Sequence, residues 1–343
     1  MSPELYVTNF NRNFTGVSAT AAAVLRNQIE QFDARLVGYP LPGCPQPISK
    51  SEAFALSKTP PSNKPFAIWH VRRNPEMRAA IWARDVLKRP IKIVFTSAAQ
   101  RLHSAYPRWL ISRMDVVIAT TDKASEFVPH VRAVIPHGVD TNLFQPAGNK
   151  PALWKALGFQ GTKGIVTVGR IRPEKGTDRF VKAMLDYLPT DKDAHAVLMG
   201  KASREFKSFQ KELEDQIATA GLSDRISFVG ETDPSRTAQI MQAASLLVAL
   251  PRYEGFGVTP LEALASGIPF IGTDVGAFRD FTNGGQFGET ISAEEDDCSK
   301  VIKKWMSKST ERFAKASAKF VTDHWSAQKE AHSISKVYEE VLS

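Results

Sequence analysis

The stretch PRYEGFGVTPLEALASGIP, residues 251–269, joins an apolar run to a helical pattern through a turn that contains two glycines. Its two acids, Glu254 and Glu262, are separated by seven residues, one on the turn and the other in the predicted helix. Gly255 and Gly257 let backbone N–H groups approach a ligand closely, and the helix N-terminus offers further donors to a phosphate. Carboxylates accept hydrogen bonds from hydroxyl groups. Together these features predict a site for a ligand that carries both phosphate and hydroxyl groups.

A second motif, VTVGRIRPEKGTDRFVKAM at residues 166–184, places basic side chains in the loop between a predicted strand and a predicted helix. Arg170 and Lys175 project from this loop, and Arg172 lies between them. An arginine can contact two oxygens of a phosphate, and a lysine supplies a point charge. We therefore expect this loop to bind the diphosphate of the same ligand.

Around these motifs, short apolar runs alternate with helical patterns along the chain. The predicted strands are β-branched or aromatic: 4–10, 66–71, 91–96, 114–120, 164–169, 194–200, 225–230, 245–251 and 269–274. Such alternation predicts parallel sheets covered by helices on both faces. A break near residue 147 predicts two doubly wound, Rossmann-like α/β domains, 1–147 and 148–322, whose ligands bind in the cleft between them. The Pro-, Ser- and Lys-rich segment 40–65 is expected to be a surface connection of the first domain.

The whole chain has a net charge of +8, and the positive charge is concentrated in its first half. Residues 1–150 carry 19 Lys and Arg against 10 Asp and Glu, and the density is highest from Lys64 to Arg113. This asymmetry favours an anionic partner, such as a membrane surface, a nucleic acid or an acidic substrate. A solvated basic face without a partner is the alternative.

Composition excludes several classes of protein. The chain is 43% hydrophobic and 23% charged, which is ordinary for a globular protein and excludes a disordered one. Its two cysteines, Cys44 and Cys298, have no metal-ligand spacing and favour free thiols in a reducing compartment. The chain has no apolar run of about 18 residues and no signal-peptide pattern at its start. These features predict a cytoplasmic protein, either soluble or resting on a membrane surface.

The two motifs together resemble a known family. GRIRPEKG at 169–176 followed by EGFGVTPLEALASG at 254–267 is similar to the retaining glycosyltransferases of family 4. The likeness extends to three further segments, IPHGVDTNLFQP, GTDVGAFRDF and HWSAQKEAHSISKVYEEVL, at 135–146, 272–281 and 324–342. The resemblance implies the GT-B fold, with two Rossmann-like domains, a cleft between them, and a C-terminal helix at 323–343 that crosses back to the first domain.

Three positions depart from the pattern of this family. His137 stands where asparagine is commoner, and Ala277 and Asp280 replace the second glycine and the glutamate of a Gly-Gly-x-x-Glu region.

A narrower resemblance covers the first half. IWHVRRNPEMRAAI at 68–81 and KIVFTSAAQRLHSAYPRWLISRMDVVIATTD at 92–122 are similar to the lipopolysaccharide core mannosyltransferases. This resemblance implies transfer of mannose from GDP-mannose to a Kdo sugar on an anionic, lipid-linked inner-core acceptor. It also implies a cytoplasmic enzyme that makes peripheral contact with the inner face of the cytoplasmic membrane. Basic residues between Lys64 and Arg113 suit the carboxylates and phosphates of such an acceptor.

Carried over position by position, the family implies a catalytic set and a donor-binding set. Arg170 and Lys175 would hold the donor diphosphate and stabilise the leaving nucleotide, and Glu254 would contact the transferred hexose. Glu262 would bind the ribose. Gly16, which follows the first strand, would let the first domain approach the diphosphate. The remaining donor-binding residues surround the glycine turn: Gly255, Phe256, Gly257, Val258 and Thr259.

The acceptor side is predicted from fewer signals. Family members commonly have a histidine shortly after the strand that is here 91–96, where this chain has threonine and serine. Either of two other histidines could face the cleft, and two arginines at a strand end would bind the acceptor's anionic groups. The predicted acceptor residues are therefore His70, Arg72, Arg73 and His103.

Two mechanisms retain anomeric configuration. A double displacement requires a carboxylate nucleophile beside the anomeric carbon. In same-face attack, the departing phosphate accepts the acceptor's proton, and the protein stabilises charge and orients both substrates. The first domain has no carboxylate in a suitable motif, so we favour same-face attack.

We expect no metal and no cofactor besides the donor. Asp191 and Asp193 resemble a metal-binding Asp-x-Asp motif, but they lie in a polar turn away from the phosphate motifs.

Three other functions remain open at this level. The first is transfer of glucose or N-acetylglucosamine from a UDP-sugar by the same fold. The second is nucleic-acid binding through the basic half, although no nucleic-acid motif is present. The third is a catalytically silent sugar-nucleotide sensor, against which both acids and both cations of the motifs argue.

Overall fold

Parallel strand pairing organises the whole chain, which a computed structural model describes over residues 2–292 and 297–342. The chain divides into two units. Unit 1 comprises the residues up to Gly138 together with the chain from Trp325 onward, and unit 2 is Val139–His324. No helix in the described ranges is long and apolar enough to span a bilayer.

Unit 1 contains one sheet of six strands. These are β1 (Leu5–Asn9), β2 (Ala34–Gly38), β3 (Ala67–Val71), β4 (Ile91–Ser97), β5 (Val116–Ala119) and β6 (Val131–Val134). Their order across the sheet is β2-β1-β3-β4-β5-β6. The helices between them are α1 (Gly16–Gln28), α2 (Lys50–Leu56), α3 (Asn74–Ile81), α4 (Ala105–Ser112) and α5 (Asp122–Ser125), and α3 continues into a π-helical turn at Trp82–Val86.

Unit 2 repeats this plan. Its strands are β7 (Lys163–Val168), β8 (Ala194–Met199), β9 (Ile226–Gly230), β10 (Leu246–Ala249), β11 (Phe270–Thr273) and β12 (Gly288–Ile291), in the order β12-β11-β10-β7-β8-β9. Its helices are α6 (Lys150–Ala156), α7 (Thr177–Tyr187), α8 (Lys207–Thr219), α9 (Pro234–Ala243), α10 (Thr259–Ala265), α11 (Phe278–Phe281), α12 (Cys298–Met306) and α13 (Glu311–Trp325). A last helix, α14 (Ala327–Leu342), belongs to unit 1.

Strand residues of unit 1 alternate between two apolar layers because successive side chains point to opposite faces of a sheet. Leu5 and Val7 pack with α1 and with Tyr338 of α14, whereas Tyr6 lies on the other face with Trp69. Both layers are fully buried, so α14 completes the core of unit 1 although it comes last in the chain. In unit 2, α7, α8 and α12 cover one face of the sheet.

The chain passes between the units earlier than the sequence predicts. The division falls after Gly138, whereas the predicted boundary lies near residue 147. The reason is a set of hydrogen bonds at the end of unit 1, where Glu330 of α14 accepts from the backbone N–H of Gly138 at 2.8 Å and contacts Nδ1 of His137 at 2.8 Å. These contacts tie the segment to unit 1.

Several elements are absent from the sequence prediction, among them three strands and the helix α2. Strands β2, β6 and β12 were not predicted, and α2 lies in the segment 40–65 that was expected to be a surface connection. The three strands are at sheet edges, where β6 has no fully buried residue. An edge strand has one neighbour and half its backbone groups unpaired, so it does not need the apolar run that marks a central strand. The edge strand β9 has such a run, and it was predicted.

Candidate functional site

The two motifs that are predicted to bind phosphate and hydroxyl groups lie at one edge of the sheet of unit 2. The loops that carry them follow β7, β10 and β11, which are neighbours in the sheet. In a parallel sheet the carboxyl ends of all strands lie at the same edge, which is where ligands of such folds bind. The order of strands in the sheet, which is not evident from the sequence, brings these three loops together.

Backbone contacts join the loop after β7 to the loop after β10. Gly176 has a positive φ of 69°, and a Cβ atom there would stand 1.8 Å from the carbonyl oxygen of Leu250. The N–H of Arg252 donates to the carbonyl of Glu174 at 3.0 Å, and the Arg252 guanidinium forms an ion pair with Asp178. Only glycine allows so close an approach, so Gly176 fixes how the two loops lie against each other.

An ion pair connects the catalytic residues predicted from the two loops. Nζ of Lys175 donates to Oε2 of Glu254 at 2.5 Å, and both side chains are partly exposed, at 27% and 20%. The other carboxylate oxygen of Glu254 accepts from the backbone N–H of Gly255 at 3.0 Å. A cation and a hydrogen-bond acceptor are thus held side by side within reach of solvent.

The glycine turn rests on the loop after β11. Gly257 has a φ of 84°, and a Cβ atom there would clash with the ring of Phe278. The backbone carbonyl of Phe256 accepts from the N–H of Ala277 at 3.1 Å, and the Phe256 side chain is buried. Phe256 therefore anchors the turn, so a contact between its side chain and a donor is excluded; any contact there comes from the backbone.

Glu262 lies in α10, one turn after its start, and is half-buried. Burial raises the pKa of Glu262 to about 7. Perturbed carboxyl groups of this kind are typical of binding sites.

The remaining predicted donor residues of unit 2 are accessible. Arg170 is exposed in the loop after β7, and Val258 and Thr259 are half-buried at the start of α10. Arg170 precedes Lys175 in its loop, and Val258 and Thr259 follow Glu254 in the other loop.

Farther along the same edge of unit 2 lies an open cavity of about 440 Å³. It follows β8 and β9 and is lined by Gly200, Lys201, Gln210 and residues 228–231. The sequence analysis did not identify it because its residues form no recognisable motif and come from separate elements.

In unit 1, the predicted residues also follow neighbouring strands, β1, β3 and β4. Gly16 is the first residue of α1 and is exposed, and a Cβ atom built on it would meet nothing within 4 Å. The fold itself therefore does not require glycine at this position.

His70 is not available to an acceptor. It is completely buried in β3, where Nδ1 contacts the hydroxyl of Tyr338 and Nε2 contacts Oγ1 of Thr96 at 2.7 Å. Burial, reinforced by the charge of Arg72, places the pKa of His70 well below its ordinary value, so the ring is neutral. The predicted direct contact between His70 and an acceptor is corrected accordingly: both ring nitrogens are engaged inside the protein.

The two predicted arginines differ in their surroundings. Arg73 donates to four side chains, namely Asn9, Thr15, Ser18 and Glu76, at distances of 2.9–3.1 Å. It therefore supports the loop before α1 rather than offering its charge to an acceptor, which corrects its predicted role. Arg72 is half-buried, and its Nη1 is buried without a hydrogen-bond partner among the described residues.

His103 is half-buried in the loop between β4 and α4. Burial, assisted by the charge of Arg101, lowers the pKa of its imidazole. Its acceptor role stays a prediction, as does that of Arg72.

The Asp-x-Asp turn has a structural role. Asp191 accepts hydrogen bonds from Nζ of Lys163 at 2.9 Å and from the hydroxyl of Tyr187 at 3.0 Å. Burial disfavours the charged carboxylate, whereas these hydrogen bonds favour it. On balance the pKa of Asp191 is lowered. Within residues 2–292 and 297–342 there is no group of three or more His, Cys, Asp or Glu side chains arranged to hold a metal.

Comparison with known proteins places the chain in a family. Residues 150–320 match the family model described as glycosyl transferases group 1. The chain is 36% identical to the lipopolysaccharide core biosynthesis mannosyltransferase LpsB of Rhizobium meliloti, over 99% of this chain and 98% of that protein. It is 35% identical to the mannosyltransferase LpcC of the same process in Rhizobium leguminosarum, over 99% and 97%.

Solved structures show the same fold. Anabaena HepE, solved with UDP and glucose, superposes with a TM-score of 0.79 at 15% identity, covering 98% of this chain and 99% of that one. The C-terminal domain of a group 1 glycosyltransferase family protein from Francisella tularensis is 32% identical, with a TM-score of 0.51, over 55% of this chain and 99% of that one. The predicted GT-B fold, with two Rossmann-like parallel-sheet domains, is confirmed.

Proposed function

Because this chain belongs to the group 1 glycosyltransferases and is a hexosyltransferase, we propose that it transfers mannose from GDP-mannose, with retention, to a Kdo sugar of a lipid-linked inner-core acceptor. The observation that carries the proposal is similarity over nearly the full length of two lipopolysaccharide core mannosyltransferases. Both units of the fold are covered by that similarity, so it includes the acceptor side as well as the donor side.

The donor binds along the carboxyl edge of unit 2. Arg170 and Lys175 bind the diphosphate, Glu254 and the N–H groups of the glycine turn bind the mannose, and Glu262 accepts from the ribose hydroxyls. The open cavity after β8 and β9 takes the guanine, since it lies on the same edge of the sheet and is large enough for a nucleobase. Support comes from the accessibility of these groups and from the pKa of Glu262, which is raised by burial to about 7.

Charge stabilisation is the main catalytic contribution. As the bond to the anomeric carbon breaks, negative charge grows on the diphosphate, and a cation already fixed beside it needs little reorganisation. The ion pair with Glu254 holds Lys175 in place before the donor arrives. The acceptor hydroxyl attacks from the same face, and the departing phosphate takes its proton.

The acceptor binds at the carboxyl edge of unit 1, with Arg72 as the contact for a Kdo carboxylate or a phosphate. A buried guanidinium nitrogen without a partner is costly unless a ligand supplies one. We expect Arg72→Gln to raise the acceptor KM and to leave donor affinity unchanged. Loss of donor affinity with an unchanged acceptor KM would contradict this assignment.

Transfer requires no metal, because Arg170 and Lys175 meet the charge of the leaving diphosphate. Activity is therefore expected to be the same in EDTA and in added magnesium or manganese. Abolition by EDTA with rescue by either ion would contradict the proposal. The enzyme works in the cytoplasm and makes peripheral contact with the inner face of the membrane, where its lipid-linked acceptor is anchored.

The deciding experiment incubates the purified chain with a Kdo-lipid acceptor and each of several sugar nucleotides, with products identified by mass spectrometry. The expected product is one hexose heavier and forms from GDP-mannose. Equal or faster product formation from UDP-glucose or UDP-N-acetylglucosamine would replace the proposed donor. Anomeric configuration is read from the product by NMR, and inversion would contradict the mechanism.

A further inference from the structure

Large apolar side chains are exposed on one region of unit 1. Trp82 and Trp109 are 52% and 53% exposed, and Val86, Leu102 and Tyr106 are exposed to a similar extent. All five lie between residues 82 and 109, whereas other exposed apolar residues are dispersed along the chain. Of the six tryptophans, these two are the most exposed. Contiguous exposed aromatics are uncommon on a soluble surface without a partner.

Four of these five side chains belong to two adjacent elements, and Leu102 lies in the loop before α4. Trp82 and Val86 are four residues apart in the π-helical turn that follows α3, and Tyr106 and Trp109 are three apart in α4. Side chains at such spacings share one helix face. The rings of Tyr106 and Trp109 stack with centroids 6.3 Å apart. Helices α3 and α4 pack on each other.

An ion pair fixes the two faces side by side. Arg113, four residues after Trp109, contacts Asp85 at 2.7 Å, and Asp85 lies three residues after Trp82. Arg84 contacts the same carboxylate. The Arg113–Asp85 ion pair therefore joins the two exposed faces directly. We call the combined area the aromatic–basic surface, defined by Trp82, Val86, Leu102, Tyr106 and Trp109.

The segments that carry this surface are rich in positive charge, although Asp115, just beyond them, pairs with Arg84 and Lys92. Residues 77–113 contain eight Lys and Arg and a single acid, Asp85, which is already paired with two arginines. Five of these basic residues are exposed: Arg78, Lys88, Arg101, Arg108 and Arg113. Tryptophan and tyrosine prefer the headgroup region of a bilayer, and surrounding Lys and Arg are attracted to anionic lipids.

We propose that the aromatic–basic surface docks the enzyme on an anionic phospholipid bilayer, with Trp82, Tyr106 and Trp109 entering the headgroup region. This inference rests on the proposed membrane contact and identifies the residues that make it. Charge complementarity selects the occupant, because a second copy of this chain would bring like charges together. The loop from β4 to α4 links this surface to the edge where His103 lies, so docking would present the acceptor edge to a lipid-anchored sugar.

The test measures co-sedimentation of the full chain with vesicles of phosphatidylcholine and phosphatidylglycerol, and with vesicles of phosphatidylcholine alone. The wild type is expected to bind the mixed vesicles and to release as salt rises. The double variant Trp82→Ala/Trp109→Ala is expected to bind at least tenfold more weakly. Arg78→Gln and Arg108→Gln should each weaken binding by about fivefold, the effect of one charge near an anionic surface.

Matched controls separate the surface from the fold. Tyr39→Ala removes an aromatic of unit 1 that is 44% exposed and lies outside the surface, and it should bind as the wild type does. Thermal unfolding of each variant should match the wild type because all the replaced side chains are exposed. Brominated lipids should quench the fluorescence of the wild type and lose most of this effect in the double variant.

Three results would overturn the inference. The first is equal vesicle binding by the double variant and the wild type. The second is a monomer–dimer shift in the variant without any change in vesicle binding. The third is RNA affinity that exceeds vesicle affinity and is lost in the same variants. Vesicle binding needs no donor or acceptor, so it can succeed where mannosyl transfer fails, and the two proposals are tested separately.

Discussion

At the scale of single residues, the proposed donor site includes the ion pair between Lys175 and Glu254. The pair is partly exposed, and an ion pair in that setting contributes only about 0–1 kcal/mol to stability. We therefore expect Lys175→Ala to leave the thermal midpoint nearly unchanged. Its turnover should fall by about 10²–10³, because charge on the leaving diphosphate loses a fixed cation.

Steady-state kinetics with GDP-mannose, run beside Lys163→Ala as a control, would check this expectation. Lys163 forms the same kind of ion pair in unit 2, with Asp191, but lies at the opposite end of β7 from the motif loop. A Lys175 variant that turns over within a few-fold of the wild type would remove this residue from the mechanism.

We expect the ionisation of Glu262 to make both stability and donor binding depend on pH. Burial raises its pKa from 4.5 to about 7, so the folded chain binds this proton more tightly than the unfolded chain does. The stability that this group contributes is therefore present below pH 4.5 and is lost as pH rises to about 7. Ribose hydroxyls donate best to the ionised carboxylate, so donor binding should show the opposite trend.

The affinity for GDP-mannose is expected to rise about tenfold between roughly pH 6 and 8, following ionisation of one group near 7. GDP-mannose is the appropriate probe because its esterified diphosphate does not titrate in this range. Calorimetry on the wild type and on Glu262→Gln would measure the trend. A variant with the same pH profile as the wild type would show that another group is responsible.

At the scale of elements, the start of α1 offers a test that separates folding from binding. A methyl group at Gly16 meets no atom of the chain within 4 Å, so Gly16→Ala should fold as the wild type does or slightly better. If the diphosphate approaches this helix start, the methyl group blocks it. We expect kcat/KM for GDP-mannose to fall at least tenfold, since small misplacements at a reacting centre have large effects.

Gly148→Ala is the matched control, because Gly148 is also exposed with open space around it but lies in the loop before α6. Wild-type kinetics in both variants would show that Gly16 has no role in donor binding.

At the scale of the whole molecule, Glu330 links the last helix to the end of unit 1. It is buried and accepts from the backbone of Gly138 while contacting His137. Removing it takes the acceptor away from the buried N–H of Gly138 and deletes one contact of the His137 imidazole. We expect Glu330→Ala to lower the free energy of unfolding by about 1–3 kcal/mol.

Urea unfolding followed by tryptophan fluorescence would measure this change. Glu340→Ala, on the same helix, removes an exposed ion pair with Arg132 and should change stability by less than about 1 kcal/mol. Equal effects of the two substitutions would show that the bonds to His137 and Gly138 contribute nothing specific.

Local sequence patterns were sufficient to predict the class of the fold, which is confirmed, and they also predict which loops form the donor side. Central strands such as β7 and β10 are short, continuous apolar runs, and the residues around Lys175 and Glu254 follow them directly. Local periodicity and spacing express both features, because a buried parallel strand and its adjoining loop are contiguous in the chain. The same continuity allowed the family resemblance to be recognised.

Packing between distant parts of the chain sets which strand-end side chains have their polar atoms engaged. His70 and Arg73 occupy strand-end positions in the sequence just as Arg72 does, yet their polar atoms are engaged by Tyr338, Thr96 and the loop before α1. Those partners lie up to 268 residues away along the chain. Availability for binding depends on such distant packing, which local patterns do not encode. The edge strands and the aromatic–basic surface came from the tertiary structure for the same reason.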